Sequence, residues 1–184
     1  MTMRSYLTAI VLLLCFTSYG LKANAQGVYG TDNGLIHISS VVSDSLLTAV
    51  SKDLIVNLNY DNATFKLLLD MSSLRTGVDS IDSALKGLKY NKVELNGRLG
   101  IDQIRTVKHP PQDFEVNGFL KGTNEGLAIL GSGHLEHIFG EVYSCILNMT
   151  FNINSADLKL DNYFQQITGD LKIEIIQSVL KRRD

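Results

Sequence analysis

From Lys92 to Asp102 the chain reads Lys-Val-Glu-Leu-Asn-Gly-Arg-Leu-Gly-Ile-Asp. Val93, Leu95, Leu99 and Ile101 fall on one side of a period-two alternation, and Lys92, Glu94, Asn96 and Arg98 fall on the other. Successive side chains of a strand point to opposite faces, so this pattern predicts a strand with one buried and one wet face. Gly97 falls on the apolar face and Gly100 on the polar face. A glycine inside a strand marks a bend, a bulge or a close approach. A long, bent, half-buried strand belongs in a curved antiparallel sheet.

The neighbours of this stretch carry the same period. Residues 27 to 33 are glycine-rich and turn-like, and Gly34–Ser40 reads as a first strand. Leu46–Ser51 and Asp53–Asn59 read as two further strands. The turn signal Tyr60-Asp61-Asn62 then joins Asp53–Asn59 to Thr64–Asp70 in a hairpin. Val78, Ile81, Leu85 and Leu88 are spaced by three and four, which predicts one short amphipathic helix. After the prolines at 110 and 111, strands are predicted over Phe114–Lys121, Leu127–Leu135, Glu141–Ile153, a short piece at Leu158 and Leu160, and Gln166–Ile176. No strand–helix–strand rhythm is present, so a parallel sheet is not expected. A meander of about eight strands avoids exposed edges by closing into an up-and-down, lipocalin-like barrel. A β-sandwich is the alternative fold.

The N-terminus reads differently. Arg4 precedes an uncharged apolar run from Tyr6 to Phe16, and Ala23-Asn24-Ala25 places small residues where a signal peptidase reads. The run is short for a membrane span. The expectation is a signal peptide over residues 1–25, a single domain over 26–184, and a secreted, periplasmic product with no membrane span after cleavage. Loss of Arg4 and Lys22 takes the formal charge from −2 to −4, which points away from nucleic acid. The basic run Lys181-Arg182-Arg183 is expected as a solvated tail. Cleavage leaves Cys145 as a single cysteine, in line with Tyr143, Leu147, Met149, Phe151 and Ile153, so it reads as a small core residue.

No residue set spells out a reaction. His134 and His137 are three apart, which shares a face on a helix but not on a strand, and the glycines around them favour a strand end or turn. His37 falls on a wet face and His109 in a loop. Asp70, Asp79, Asp82 and Asp102 stand at element ends, where carboxylates cap. No phosphate loop, dinucleotide fingerprint or nucleophile elbow is present. Neither catalytic nor metal-ligating residues are assigned, and no cofactor is expected.

The order of these pieces resembles the YceI-like family of secreted lipocalin-like proteins. The resemblance is carried by Gly34–Ser40 as an entry strand and by Ala63–Thr76 leading into the helix. It continues through Val93-Glu-Leu-Asn-Gly-Arg-Leu99, Phe114-Glu-Val-Asn-Gly-Phe-Leu120, Gly131-Ser-Gly-His-Leu135 and the closing Ile167–Leu180. Ile81-Asp82-Ser83-Ala84-Leu85 stands where that family has an Arg-Asp-x-His-Leu-like stretch. The resemblance implies a non-enzymatic binding protein whose barrel shelters a long apolar molecule, an isoprenoid or lipid-like chain, often as a homodimer. A tunnel needs inward residues that are apolar without being bulky. Phe65, Leu67, Leu69, Val93, Leu95, Gly97, Leu99, Ile101, Val116, Gly118, Leu120, Leu171, Ile173 and Ile175 meet that condition and fit an ordinary core equally well. Two alternatives stand beside the binding protein: an envelope interaction module with a filled barrel, and a hydrolase. If Gly97 lines a tunnel, Gly97→Leu is expected to block it and spare the fold.

Overall fold

A computed structural model describes residues 27–42, 45–88, 91–105, 110–121, 126–138, 144–157 and 169–183. Its strands are β1 (Val28–Val42), β2 (Ser45–Asn59), β3 (Thr64–Asp70), β4 (Lys92–Leu99), β5 (Gln112–Lys121), β6 (Leu127–Ile138), β7 (Ser144–Asn154) and β8 (Asp170–Arg183). Each pairs antiparallel with its neighbour in sequence, and β8 pairs back onto β1 to close the barrel. Closure leaves no open edge and rules out the sandwich alternative. The predicted segment 1–25, the Leu158–Leu160 strand and His109 lie outside the described residues.

β4 follows the alternation that predicted it, with Leu95 and Leu99 buried and Lys92 and Arg98 exposed. It ends at Leu99, not Asp102. The chain bends at Gly100, whose N–H donates to the Glu115 carbonyl at 2.7 Å. Residues 27 to 33, expected as turn-like, instead open β1, where Val28, Tyr29 and Gly30 pair with both β2 and β8. An extra residue on β1 between Thr31 and Gly34 absorbs the turn-like residues, so they do not break the strand. Leu46–Ser51 and Asp53–Asn59 are one strand, not two. A bulge near Lys52 and Asp53 moves the inward face from Ser51 to Leu54, and the Asp53 N–H donates to Ser51 Oγ at 3.1 Å. The basic run is not a free tail either. Lys181, Arg182 and Arg183 pair along β1, and Arg183 bonds Asp32 at 2.6 Å.

The single α-helix among the described residues, α1 (Asp79–Lys86), follows a 3-10 turn at Met71–Ser73. Asp70 caps that turn by accepting from the Ser72 N–H at 2.9 Å. Asp82 ties α1 to the preceding loop, accepting from the Thr76 N–H at 2.8 Å and from Thr76 Oγ1 at 2.7 Å. Leu85 is buried in the core, while Ile81 and Leu88 pack half-buried against it. Three of the four positions that the three-and-four spacing places on one face are thus turned to the core, while Val78 caps the helix and is exposed.

Four inward glycines shape the wall. Gly97 pairs with Phe65 on one side and Gly118 on the other. Gly133 pairs with Phe114, and Gly131 with Phe151. The rings of Phe65 and Phe114 lie over Gly97 and Gly133. A Cβ built on Gly97 would sit 2.5 Å from Phe65 Cζ and 2.8 Å from Gly118 Cα. Built on Gly133, it would sit 2.6 Å from Phe114 Cζ. A ring laid across a cross-strand glycine covers bare backbone and lets the sheet coil tightly enough to close.

Candidate ligand-binding interior

Every strand contributes alternate side chains to one apolar interior. Of the residues singled out by sequence, Phe65, Leu67, Leu69, Leu95, Leu99, Val116, Leu120, Leu171, Ile173 and Ile175 are buried in the barrel. Val93, Gly97 and Gly118 are half-buried on the same face. The residues singled out for the interior left out β2, whose Leu54, Val56 and Leu58 are at most 1% exposed, as are Cys145, Leu147 and Met149 on β7. Their alternation is plain in the sequence, but nothing local ranks one half-buried strand above another.

Packing is uneven along the axis. At the end where β2 leaves and β3 begins, Tyr60, Ala63, Ile104, Leu135, Cys145 and Leu180 are all 0% exposed. Tyr29 stacks on Tyr60 there, with ring centroids 3.9 Å apart. Tyr60 Oη lies 3.3 Å from His137 Nε2, and the two rings meet edge to face. Burial holds the Tyr60 phenol far above its ordinary range. Burial also pushes the Cys145 thiol up to about 11, outweighing the lowering by its hydrogen bond with Tyr60. A thiol raised in this way is a packing residue and not a nucleophile. This end is sealed.

The other end is looser. Of the residues that pack half-buried against the core, Ile38, Ala49, Met71, Ile81, Leu88, Val93 and Leu127 lie toward the α1 end, and Ile101 lies at the Tyr60 end. Half-buried apolar residues are thus more numerous toward α1, although Leu69, Leu74 and Leu85 there are themselves buried.

Polar groups sit mostly on the outer face. Glu94 on β4 accepts from Asn96 Nδ2 at 2.6 Å and meets Lys66 Nζ at 2.6 Å. These contacts lower its carboxyl from 4.5 to about 2, the Asn96 hydrogen bond being the larger cause. A groove of about 770 Å³ crosses the outside of β5, β6 and β7, lined by Asp113, Glu115, Ser132, His134, Asn148 and Thr150 among others. His134 lies in β6, not in a turn, with Nδ1 2.7 Å from Asp113 Oδ1. His137 is on the same strand but on its inner face, half-buried beneath Tyr60. The two histidines therefore do not converge. Among the described residues no group of three or more His, Cys, Asp or Glu is placed to hold a metal ion.

A closed, eight-stranded antiparallel barrel with one short helix and an apolar interior defines a lipocalin-like fold. Among solved structures the chain is similar to a polyisoprenoid binding domain from Saccharophagus degradans implicated in plant cell wall breakdown. The TM-score is 0.65 at 13% identity, covering 86% of this chain and 99% of that one. At that identity the likeness is one of fold. No protein-family model matches the chain, and no curated protein sequence matches it.

Proposed function

We propose that this is a non-enzymatic binding protein that shelters an isoprenoid or other lipid-like chain inside the barrel, in an extracytoplasmic compartment reached through the segment 1–25. One observation carries the reading. The buried side chains of the described barrel include no charged residue. The fold it shares with a polyisoprenoid binding domain supports the same reading. Each methylene moved from water into such an interior contributes about 0.8 kcal/mol. Entry requires the leucines that project across the barrel, such as Leu69, Leu95 and Leu120, to change rotamer and line the chain.

A second reading, a filled barrel acting through its outer surface, is favoured by the rings of Phe65 and Phe114 over Gly97 and Gly133. Titration with retinol, a neutral fluorescent isoprenoid alcohol, separates the two. Uptake into the barrel gives a saturable rise in retinol fluorescence, which Val93→Trp, on the inner face at the α1 end, reduces severalfold. No uptake, or uptake indifferent to Val93→Trp, supports the filled barrel.

A further inference from the structure

β8 changes face partway along. Leu171, Ile173 and Ile175 point inward, and then Ser178 and Leu180 are buried while Gln177 and Val179 are exposed. The change is a bulge: between the pairs Met149–Ile175 and Leu147–Ser178, β8 carries one residue more than β7. Gln177 holds the bulge at φ 45°, in the left-handed region. Asn148 Oδ1 on β7 clamps it by accepting from the Gln177 N–H at 2.8 Å. Without the extra residue, Gln177 and Val179 would take the inward positions.

The consequence is a hydroxyl inside the barrel. Ser178 is 2% exposed, and its Oγ has no hydrogen-bond partner among the described residues. Other buried hydroxyls are satisfied: Ser51 Oγ meets Ser73 Oγ at 2.6 Å, and Ser40 Oγ donates to the Asp170 carbonyl at 3.3 Å. Bulges on β1 and on β2 flank the Gly34–Leu54 pair, and a Cβ at Gly34 would stand 3.2 Å from Ser178 Oγ. Any larger residue at 34 would crowd the hydroxyl. A buried unpaired hydroxyl is unfavourable, and so is a non-glycine residue in the left-handed region. Bulges re-aim side chains at functional sites, and local strain persists where it serves a site.

Resting on the binding reading above, we propose that Ser178 is the polar anchor for the head group of the bound chain, and that this head is a neutral hydroxyl or carbonyl. The buried polar side chains around the barrel are serines and Gln112, with no lysine or arginine to compensate an anion. A phosphate or carboxylate drawn to this depth would lose its hydration with no lysine or arginine to replace it. Ser178 lies beyond Ile175 toward the sealed end. The head therefore enters first, and the apolar remainder runs back past Ile173 and Leu171 toward α1.

The test uses three probes of one chain length against the mature protein: farnesol, the hydrocarbon farnesene, and farnesyl phosphate. Wild type is expected to bind farnesol about tenfold more tightly than farnesene, the discrimination of one hydrogen bond, and farnesyl phosphate more weakly than farnesol. Ser178→Ala should bring farnesol to the farnesene level, leave farnesene unchanged, and leave the melting temperature equal or higher. Equal binding of farnesol and farnesene by wild type, or an equal loss of both in Ser178→Ala, overturns the anchor while leaving the binding reading intact. Failure of all three to bind wild type overturns both.

Discussion

Phe65 and Gly97 show how much one residue pair decides. The alternation from Lys92 to Asp102 places Gly97 on the inner face, where a missing side chain reads as a bend or as an opening. The structure gives a third outcome: the Phe65 ring fills the space, and Gly118 backs it from the other side. Gly97→Leu therefore cannot block a tunnel while sparing the fold, because even a Cβ collides with the ring and with neighbouring backbone. Gly97→Ala should lower unfolding free energy by about 1–3 kcal/mol, read from urea midpoints. Phe65→Ala, which empties the space, should lose about 3–5 kcal/mol in the same assay. The face of Gly97 was legible in the sequence. Its partner was not, because register belongs to a pair of strands and no single strand carries it.

At the level of elements, α1 and the alternating strands were legible because their periods are local. The bulges were not. Asp32–Asn33, Lys52–Asp53 and Gln177 each shift a face by one residue, and each is held by a hydrogen bond to a side chain. Even the basic end of β8 reads as a tail until its pairing with β1 is seen. The carboxylates that tie elements together make a second prediction. Glu94, Asp70 and Asp82 all have folded values below their ordinary ones, through hydrogen bonds from Asn96, Ser72 and Thr76 respectively. A lowered folded value means the stabilisation is present above the unfolded value, 4.5 for Glu94, and is lost as pH falls toward about 2. Urea midpoints should therefore fall through that window, and Glu94→Gln should flatten the fall. Asp82→Ala removes both bonds to Thr76. Amide exchange in α1 should rise severalfold while β2 amides keep their protection, since few contacts tie α1 to the barrel compared with its strands.

The whole molecule is a barrel because β8 returns to β1, a pairing between the two ends of the described chain. The strand count and the absence of strand–helix–strand rhythm pointed to closure, but only the long-range pairing decides between barrel and sandwich. The interior candidates were legible as a face. Their division into a sealed Tyr60 end and a looser α1 end was not, because it depends on how eight strands converge. The expected export predicts a mature chain beginning at Gln26, checked by N-terminal sequencing of protein from the extracytoplasmic fraction. The central claim is that the apolar interior takes up a chain-like guest. Native mass spectrometry of the mature protein, purified from its host and then exposed to a neutral isoprenoid alcohol, tests it most directly. One stoichiometric adduct that survives buffer exchange and is lost on unfolding is the predicted result; a bare polypeptide mass throughout would contradict it.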